Sequence, residues 1–88
     1  MPVYIDNYNA SFGRMTMCHM IADTRSELLD MVEKIGVKPK WIQKLNTCYE
    51  HFDICLSKKA KAIQHGAIEI TAKDLVKRML AKKVTSHA

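Results

Sequence analysis

Two histidines and two aspartates are the residues of this 88-residue chain whose types and spacing best suit catalysis. His51 and Asp53 stand two residues apart in the segment HFDICLSKKA. An imidazole and a carboxylate at this spacing can bind a cation together or transfer a proton. His19 lies in the apolar segment MTMCHMIA, and Asp6 ends the first β-prone run, where α/β proteins often carry functional groups. We therefore predict that His51, Asp53, His19 and Asp6 are catalytic.

Two of these residues also have a purely structural interpretation. A histidine on an apolar strand, such as His19, is more commonly a core residue that is hydrogen-bonded to a backbone carbonyl. An aspartate at the end of a strand often closes a turn, and this role would suit Asp6. The choice between a site and a structural role stays open at this point.

A second group of residues is suited to binding an anion. Ser57 can cap the start of a helix, and Lys58 and Lys59 fall in its first turn, where positive side chains oppose the helix dipole. Exposed amides and lysines at a helix start can bind phosphate, although a solvated lysine face is an equally simple interpretation. The predicted ligand-binding residues are Ser57, Lys58, Lys59 and Arg14.

Composition limits the size and class of the protein. With 88 residues, 48% of them hydrophobic and 26% charged, the chain has the length and composition of one folded domain with a modest core. We predict one compact domain over residues 1–83 and a frayed tail over 84–88. The net charge of +5 favours phosphate-bearing partners, and basic residues of the last helix could extend such a surface: Lys77, Arg78, Lys82 and Lys83.

Neither a signal peptide nor an apolar run of membrane-spanning length occurs in the sequence. We therefore expect a cytoplasmic protein that does not contact membranes. Its three cysteines, without CxxC spacing, fit reduced thiols better than disulfides. A core this small is also compatible with self-association into a homo-oligomer.

The hydrophobic pattern predicts a small α/β domain with about three short strands and three to four helices. A capping box, Thr24-Arg25-Ser26-Glu27, begins the best-defined helix. The run from Met15 to Ala22 is apolar on both faces, which is typical of a strand covered by helices on both sides. The predicted strands cover residues 3–6, 15–22 and 67–70, and the predicted helices cover 24–35, 39–45, 57–65 and 72–82.

Several common active-site motifs are absent from the sequence. No P-loop, GxGxxG, HExxH, GxSxG or paired CxxC occurs, which disfavours the enzymes and zinc ribbons that depend on them. Three functions remain open: a module that binds phosphate-bearing ligands or nucleic acid, a small metal-dependent hydrolase or nuclease, and an inhibitor that binds a host protein. The residues identify no cofactor, and they do not decide whether the protein is an enzyme.

Four segments carry a resemblance to a known family: MPVYIDNYNA, FGRMTMCHMIADT, HFDICLSKKA and GAIEIT. Together they resemble a family of short bacterial and phage proteins that is known only as a domain of unknown function and is noted for a His-Tyr-Asp motif. The matching positions here are His51, Phe52 and Asp53, so a phenylalanine replaces the tyrosine and its hydroxyl. The resemblance implies a prokaryotic or phage origin and no particular activity.

Overall fold

The computed structural model describes residues 2–12 and 15–85. For residues 10–12 and 83–85 it describes the backbone alone. It has the predicted α/β class, with five short strands in place of the three expected. The elements in chain order are β1 (Val3–Asp6), β2 (Ala10–Phe12), β3 (Met15–Ala22), α1 (Arg25–Ile35), a 3-10 turn (Pro39–Trp41), β4 (Phe52–Cys55), α2 (Leu56–Gln64), β5 (Ile68–Ile70) and α3 (Ala72–Thr85).

Strand β3 is the centre of the sheet. Its Met20 pairs with Ile5 of β1 and Phe52 of β4, and its Met17 pairs with Ala10 of β2 and Cys55 of β4. Hence β1 and β2 follow one another along one edge of β3, and β4 occupies the other edge. These pairings are antiparallel, whereas β5 joins the outer side of β1 in parallel.

A bulge separates β1 from β2. Between the pairs Ile5–Met20 and Ala10–Met17, the outer chain advances by 10 − 5 = 5 residues, while β3 advances by 20 − 17 = 3. The outer chain therefore carries two extra residues, which lie in the segment 7–9, and Asn9 has a φ of 53° there. This segment adjoins Asp6, at the end of β1.

Helices α1 and α2 cover one face of the sheet. The core between them contains Leu28 and Val32 of α1, Ala62 of α2, and strand residues that include Met20 and Phe52, all at most 1% exposed. Helix α3 covers part of the opposite face through a smaller cluster of Tyr4, Ile21, Ile70, Leu75 and Met79. The prediction that β3 is covered by helices on both faces is confirmed.

The first helix begins and ends as its sequence predicts. The Thr24 hydroxyl accepts a hydrogen bond from the Glu27 amide (3.2 Å) and donates one to the Glu27 carboxylate (2.8 Å). Gly36 ends the helix with a φ of 79°, a conformation that glycine adopts at little cost. The apolar face consists of Leu28, Met31, Val32 and Ile35.

The predicted helix over residues 39–45 is wrong in length. Only the 3-10 turn Pro39–Trp41 forms, and the chain then adopts positive φ angles at Lys44 (57°) and Asn46 (66°), which no helix can contain. A tryptophan in an amphipathic segment commonly covers the core, yet Trp41 is 56% exposed.

The face that α2 buries was also predicted wrongly. Leu56, Ala60 and Ile63 recur at helical spacing, which predicts a buried apolar face, but all three are exposed. Lys59 and Ala62 are buried instead. The helix begins at Leu56 directly after β4, with Cys55 and not Ser57 at the cap position. Because strand and helix share no loop, the strand sets which helical face meets the sheet.

Helix α3 starts near the predicted residue and runs further than predicted. The Thr71 hydroxyl accepts from the Asp74 amide (3.1 Å), as a cap does. Leu75 and Met79 are buried as expected, whereas Val76 and Leu80 are 47% and 43% exposed because α3 crosses only part of the sheet. The helix continues to Thr85, into the predicted tail, and residues 86–88 lie outside the described part. None of the described helices has the length and apolar character needed to cross a membrane.

Candidate metal centre

Three of the predicted catalytic residues form a row across adjacent strands. His19 of β3 pairs with Asp53 of β4, and continuation of the Ile5–Met20 register places Asp6 opposite His19 on the other edge. Side chains alternate along a strand, so all three project from the face that α3 covers only in part. The structure therefore brings together residues that are up to 47 positions apart in sequence (53 − 6).

Asp6 holds His19 in one orientation. The carboxylate is 1% exposed, and it accepts two hydrogen bonds from His19, one from the backbone amide (3.0 Å) and one from ring Nδ1 (2.7 Å). Since Nδ1 donates its proton to Asp6, the second nitrogen, Nε2, carries the lone pair in the neutral ring. This nitrogen lies 3.7 Å from Oδ1 of Asp53.

His19 is not the enclosed core histidine that its apolar strand suggested. Its side chain is 36% exposed and bonds to a carboxylate instead of a backbone carbonyl. The reason is the position of α3, which packs on Ile21, two residues further along β3. Tyr8, in the bulge, stacks beside the imidazole with ring centroids 6.4 Å apart.

His51 meets Asp53 from the segment before β4. Its Nδ1 donates to the Tyr49 carbonyl (2.7 Å), so in the neutral ring Nε2 carries the lone pair, and Nε2 lies 3.3 Å from Oδ1 of Asp53. A backbone bridge in both directions with Gln43 fixes the main chain of His51 (2.8 and 3.2 Å). The imidazole rings of His19 and His51 stand 5.2 Å apart, edge to face.

The ligand atoms of His19, His51 and Asp53 all lie within 4.8 Å of one another. Ligands that bind a tetrahedral ion from about 2.1 Å are about 3.4 Å apart, close to the two carboxylate–imidazole distances. Two imidazoles and one carboxylate are a ligand set for zinc and neighbouring transition metals. Asp6 behind His19 is the outer carboxylate that commonly orients a metal-bound histidine.

An ion pair supports the loop that carries His51. Glu50, 9% exposed, accepts from the Arg25 guanidinium and from the Asn46 amide (2.8 Å). The hydrogen bond from Arg25 holds the pKa of the Glu50 carboxyl below its usual value. Arg25 also donates to the Asn46 side chain (2.8 Å), so α1 clamps the positive-φ part of this loop.

The predicted ligand-binding residues do not join this cluster. The Ser57 hydroxyl contacts the Cys55 thiol (3.2 Å), and this contact lowers the pKa of that thiol. The Lys58 ammonium lies beside Gly36, which ends α1. A Cβ atom on that glycine would stand 3.2 Å from the ammonium nitrogen. Lys59 is 8% exposed and donates to Glu69 and to the Asp6 carbonyl (3.3 Å), so the expectation that it is solvated is wrong. Arg14 lies outside the described residues.

The predicted basic surface is divided between two layers. Lys58 and Lys61 belong to α2, on one face of the sheet, whereas Lys77 and Arg78 belong to α3, on the other. The Arg78 guanidinium also packs over the Tyr4 ring, 3.8 Å from its centroid. The described lysines of α2 and α3 therefore do not form one continuous surface.

A cavity of about 260 Å³ opens beside the two imidazoles. It lies between them and α3, and it is lined by His19, Lys44, Tyr49, His51, Leu75, Val76 and Met79. Sequence reasoning missed Lys44, Tyr49 and the supporting pair Arg25 and Glu50. No local pattern marks them, because their roles depend on how the irregular segment 42–51 folds against α1 and α3.

Comparison with known proteins identifies the family. A family model described as a protein of unknown function, DUF4031, matches residues 3–82. The chain belongs to this family. No curated protein and no solved structure matches the chain. The unknown-function family suggested by the sequence segments is thus confirmed, while its prokaryotic or phage origin and its His-Tyr-Asp motif remain predictions.

Proposed function

We propose that the protein is a small hydrolase of phosphate esters that depends on a divalent transition metal. His19, His51 and Asp53 would bind the ion, and Asp6 would orient His19. The convergence of these three ligand atoms within 4.8 Å is the observation that carries the proposal. It favours the metal-dependent alternative among the functions left open by the sequence.

The ligand set supports hydrolysis because it is incomplete. Catalytic zinc sites use three protein ligands and leave a position for water, whose pKa the ion lowers to about 7. Hydrogen bonds within the chain orient the two imidazoles. Asp6 and the Tyr49 carbonyl accept the Nδ1 protons of His19 and His51, so that in the neutral rings both Nε2 atoms carry lone pairs. A bound cation would also balance the buried charge of Asp6 through His19.

Two observations favour phosphate esters among hydrolase substrates. The net charge of +5 attracts anions, and Lys44 lines the cavity next to the histidines. A phosphate-bearing ligand would therefore bind at the metal and Lys44. It would not bind at Ser57 and Lys59, which the sequence favoured, since Lys59 is buried in an ion pair.

The hydrogen bond between buried Asp6 and half-buried His19 supports a second candidate, a metal-free acid–base hydrolase. A carboxylate-oriented imidazole can act as a general base, and a second imidazole 5.2 Å away can act as the acid. Both candidates use the same side chains. They differ in whether a chelator abolishes activity.

Calorimetric titration of chelator-treated protein with Zn²⁺, Mn²⁺, Co²⁺ and Fe²⁺ tests the metal, and hydrolysis of bis-p-nitrophenyl phosphate with the best-bound ion tests the reaction. We expect one ion per chain, and we expect both binding and turnover to be lost in H19A, H51A and D53N. The control is H65A, which removes an exposed histidine at the end of α2. Wild type that binds no ion, or turnover that survives chelation, would reject the metal-dependent enzyme.

A further inference from the structure

The cavity beside the histidines points to the part of the substrate that the metal ligands do not hold. We infer that it binds an aromatic ring attached to the phosphoryl group, so that the substrates are aryl or nucleoside phosphates. This inference rests on the proposed function. It concerns the cavity residues and not the metal ligands, so the two can be tested separately.

The position of the cavity links it to the reacting group. His19 and His51 form one wall, and three residues of α3, Leu75, Val76 and Met79, form the other. A phosphoryl group held by His19 and His51 would therefore lie next to the cavity. Volumes of about 300–1,000 Å³ are usual for drug-sized ligands, so 260 Å³ suits one ring system and excludes a long chain.

The chemistry of the lining favours a flat apolar group. Leu75 and Met79 are 2% and 5% exposed and form a fixed apolar floor, while Tyr49 (41% exposed) provides an aromatic ring at the rim. Thioether and aromatic side chains both pack well against rings. The Nδ1 atoms of both histidines are engaged by Asp6 and the Tyr49 carbonyl, which leaves few groups to read a base edge. Recognition by stacking tolerates different bases, so we expect little discrimination among them.

Lys44 is the cationic side chain among the residues that line the cavity. Its backbone has a φ of 57°, within the loop that Arg25 and Glu50 clamp, so the direction in which its side chain leaves the loop is set by the fold. A cation close to the metal ligands can hold a phosphate oxygen and give the ligand one orientation. We therefore expect loss of Lys44 to weaken binding of every phosphate-bearing ligand, with or without a ring.

The first measurement uses V76W, which places a large side chain at the exposed cavity wall. The matched control is L80W, one turn further along α3 and not among the lining residues. Phenyl phosphonate and methyl phosphonate are titrated into metal-free and metal-loaded full-length protein, with the Met79 methyl signal followed by NMR. A lost stacking contact weakens binding about tenfold or more, so V76W should raise the Kd of phenyl phosphonate by this factor and change that of methyl phosphonate less than twofold. L80W should leave both unchanged.

The second measurement compares sources of the ring and the role of charge. Phenyl phosphate, AMP and dTMP are compared on wild type, K44Q and the control K40Q, an exposed lysine of the 3-10 turn. We expect K44Q alone to weaken all three, and the two nucleotides to bind with similar affinity if the ring is a base. If phenyl phosphate binds and neither nucleotide does, the ring belongs to an aryl ester and not to a nucleoside.

The two proposals can fail independently. Suppose that an ion binds and phosphate esters are hydrolysed, but V76W changes the Kd values of phenyl and methyl phosphonate by the same factor. The ring site is then wrong, and the proposed hydrolase stands. If no ion binds, yet phenyl phosphonate shifts the Met79 methyl signal in wild type and not in V76W, the hydrolase is wrong and the ring site stands. Absence of any phenyl-dependent shift in either form overturns the ring site.

Discussion

His19 and Asp53 lie directly opposite each other on β3 and β4, with Nε2 of the histidine 3.7 Å from Oδ1 of the aspartate. Their separation is set by strand pairing and not by the conformation of a loop. Their neighbours on the strands, Met20, Phe52 and Ile54, are at most 1% exposed in the core on the other face. Two of the three proposed ligands are therefore held in place by paired strands before any ion arrives.

The outer carboxylate gives the first prediction. In D6N the ring proton of His19 loses a charged acceptor, and such changes typically reduce metal affinity 10–100-fold. Calorimetric Kd values for the best-bound ion should show this decrease, and D30N, an exposed aspartate of α1, should bind like wild type. Unchanged affinity in a folded D6N protein would mean that Asp6 does not act through His19.

The ion pair between Arg25 and Glu50 gives a prediction about pH. The pKa of Glu50 is lowered from an ordinary value of 4.5, so the folded state favours the ionised carboxylate. Its stabilisation is present above pH 4.5 and is lost as the pH falls through the lower folded pKa. E50Q should cost about 1–2 kcal/mol at pH 7, an amount reduced because the Arg25 side chain is 46% exposed.

Urea unfolding of wild type and E50Q between pH 7 and pH 3 measures this difference. The two proteins should converge as the medium becomes acidic. E33Q, an exposed glutamate of α1, serves as the control. A difference that stays constant across this range would show that ionisation of Glu50 does not contribute.

Elements with strong local signals were predictable from the sequence, and those fixed by tertiary contacts were not. The capping box at Thr24 and the glycine at 36 determine α1 by themselves. Strand β4 escaped prediction because its run of four residues leads straight into a helix, so no turn residue marks its end. His51 and Asp53 were recognised as candidates from their types and spacing. Their convergence with His19 depends on the register of β3 and β4, which the sequence does not state.

The assignment of core faces gives a third prediction. L28A and L75A remove side chains that are 1% and 2% exposed, so each should destabilise the protein by about 2–5 kcal/mol through the cavity that remains. V76A and L80A truncate side chains on the exposed side of α3 and should each change stability by less than about 0.5 kcal/mol. Denaturant midpoints of the four variants test the assignment, and equal midpoints would contradict it.

The buried lysine of α2 gives the fourth prediction. K59Q loses the ammonium that bonds to Glu69 and to the Asp6 carbonyl, at a cost of about 1–3 kcal/mol, because the Glu69 side chain is 48% exposed and can be hydrated afterwards. K58Q should stay within about 0.5 kcal/mol of wild type. Thermal unfolding distinguishes the two variants. Similar melting temperatures would restore the interpretation of both lysines as solvent-exposed.

Strand β4 can lose its outward-facing carboxylate without loss of the fold, but it cannot change in length. Its Phe52 and Ile54 face the core, while Asp53 between them faces the opposite side. Because side chains alternate every residue, deleting or inserting one residue here would turn the carboxylate into the apolar interior and a large apolar side chain out. Substitutions at His51 or Asp53 can remove the ligands without unfolding the sheet. A one-residue insertion or deletion within Phe52–Cys55 would remove the ligand set and the core together.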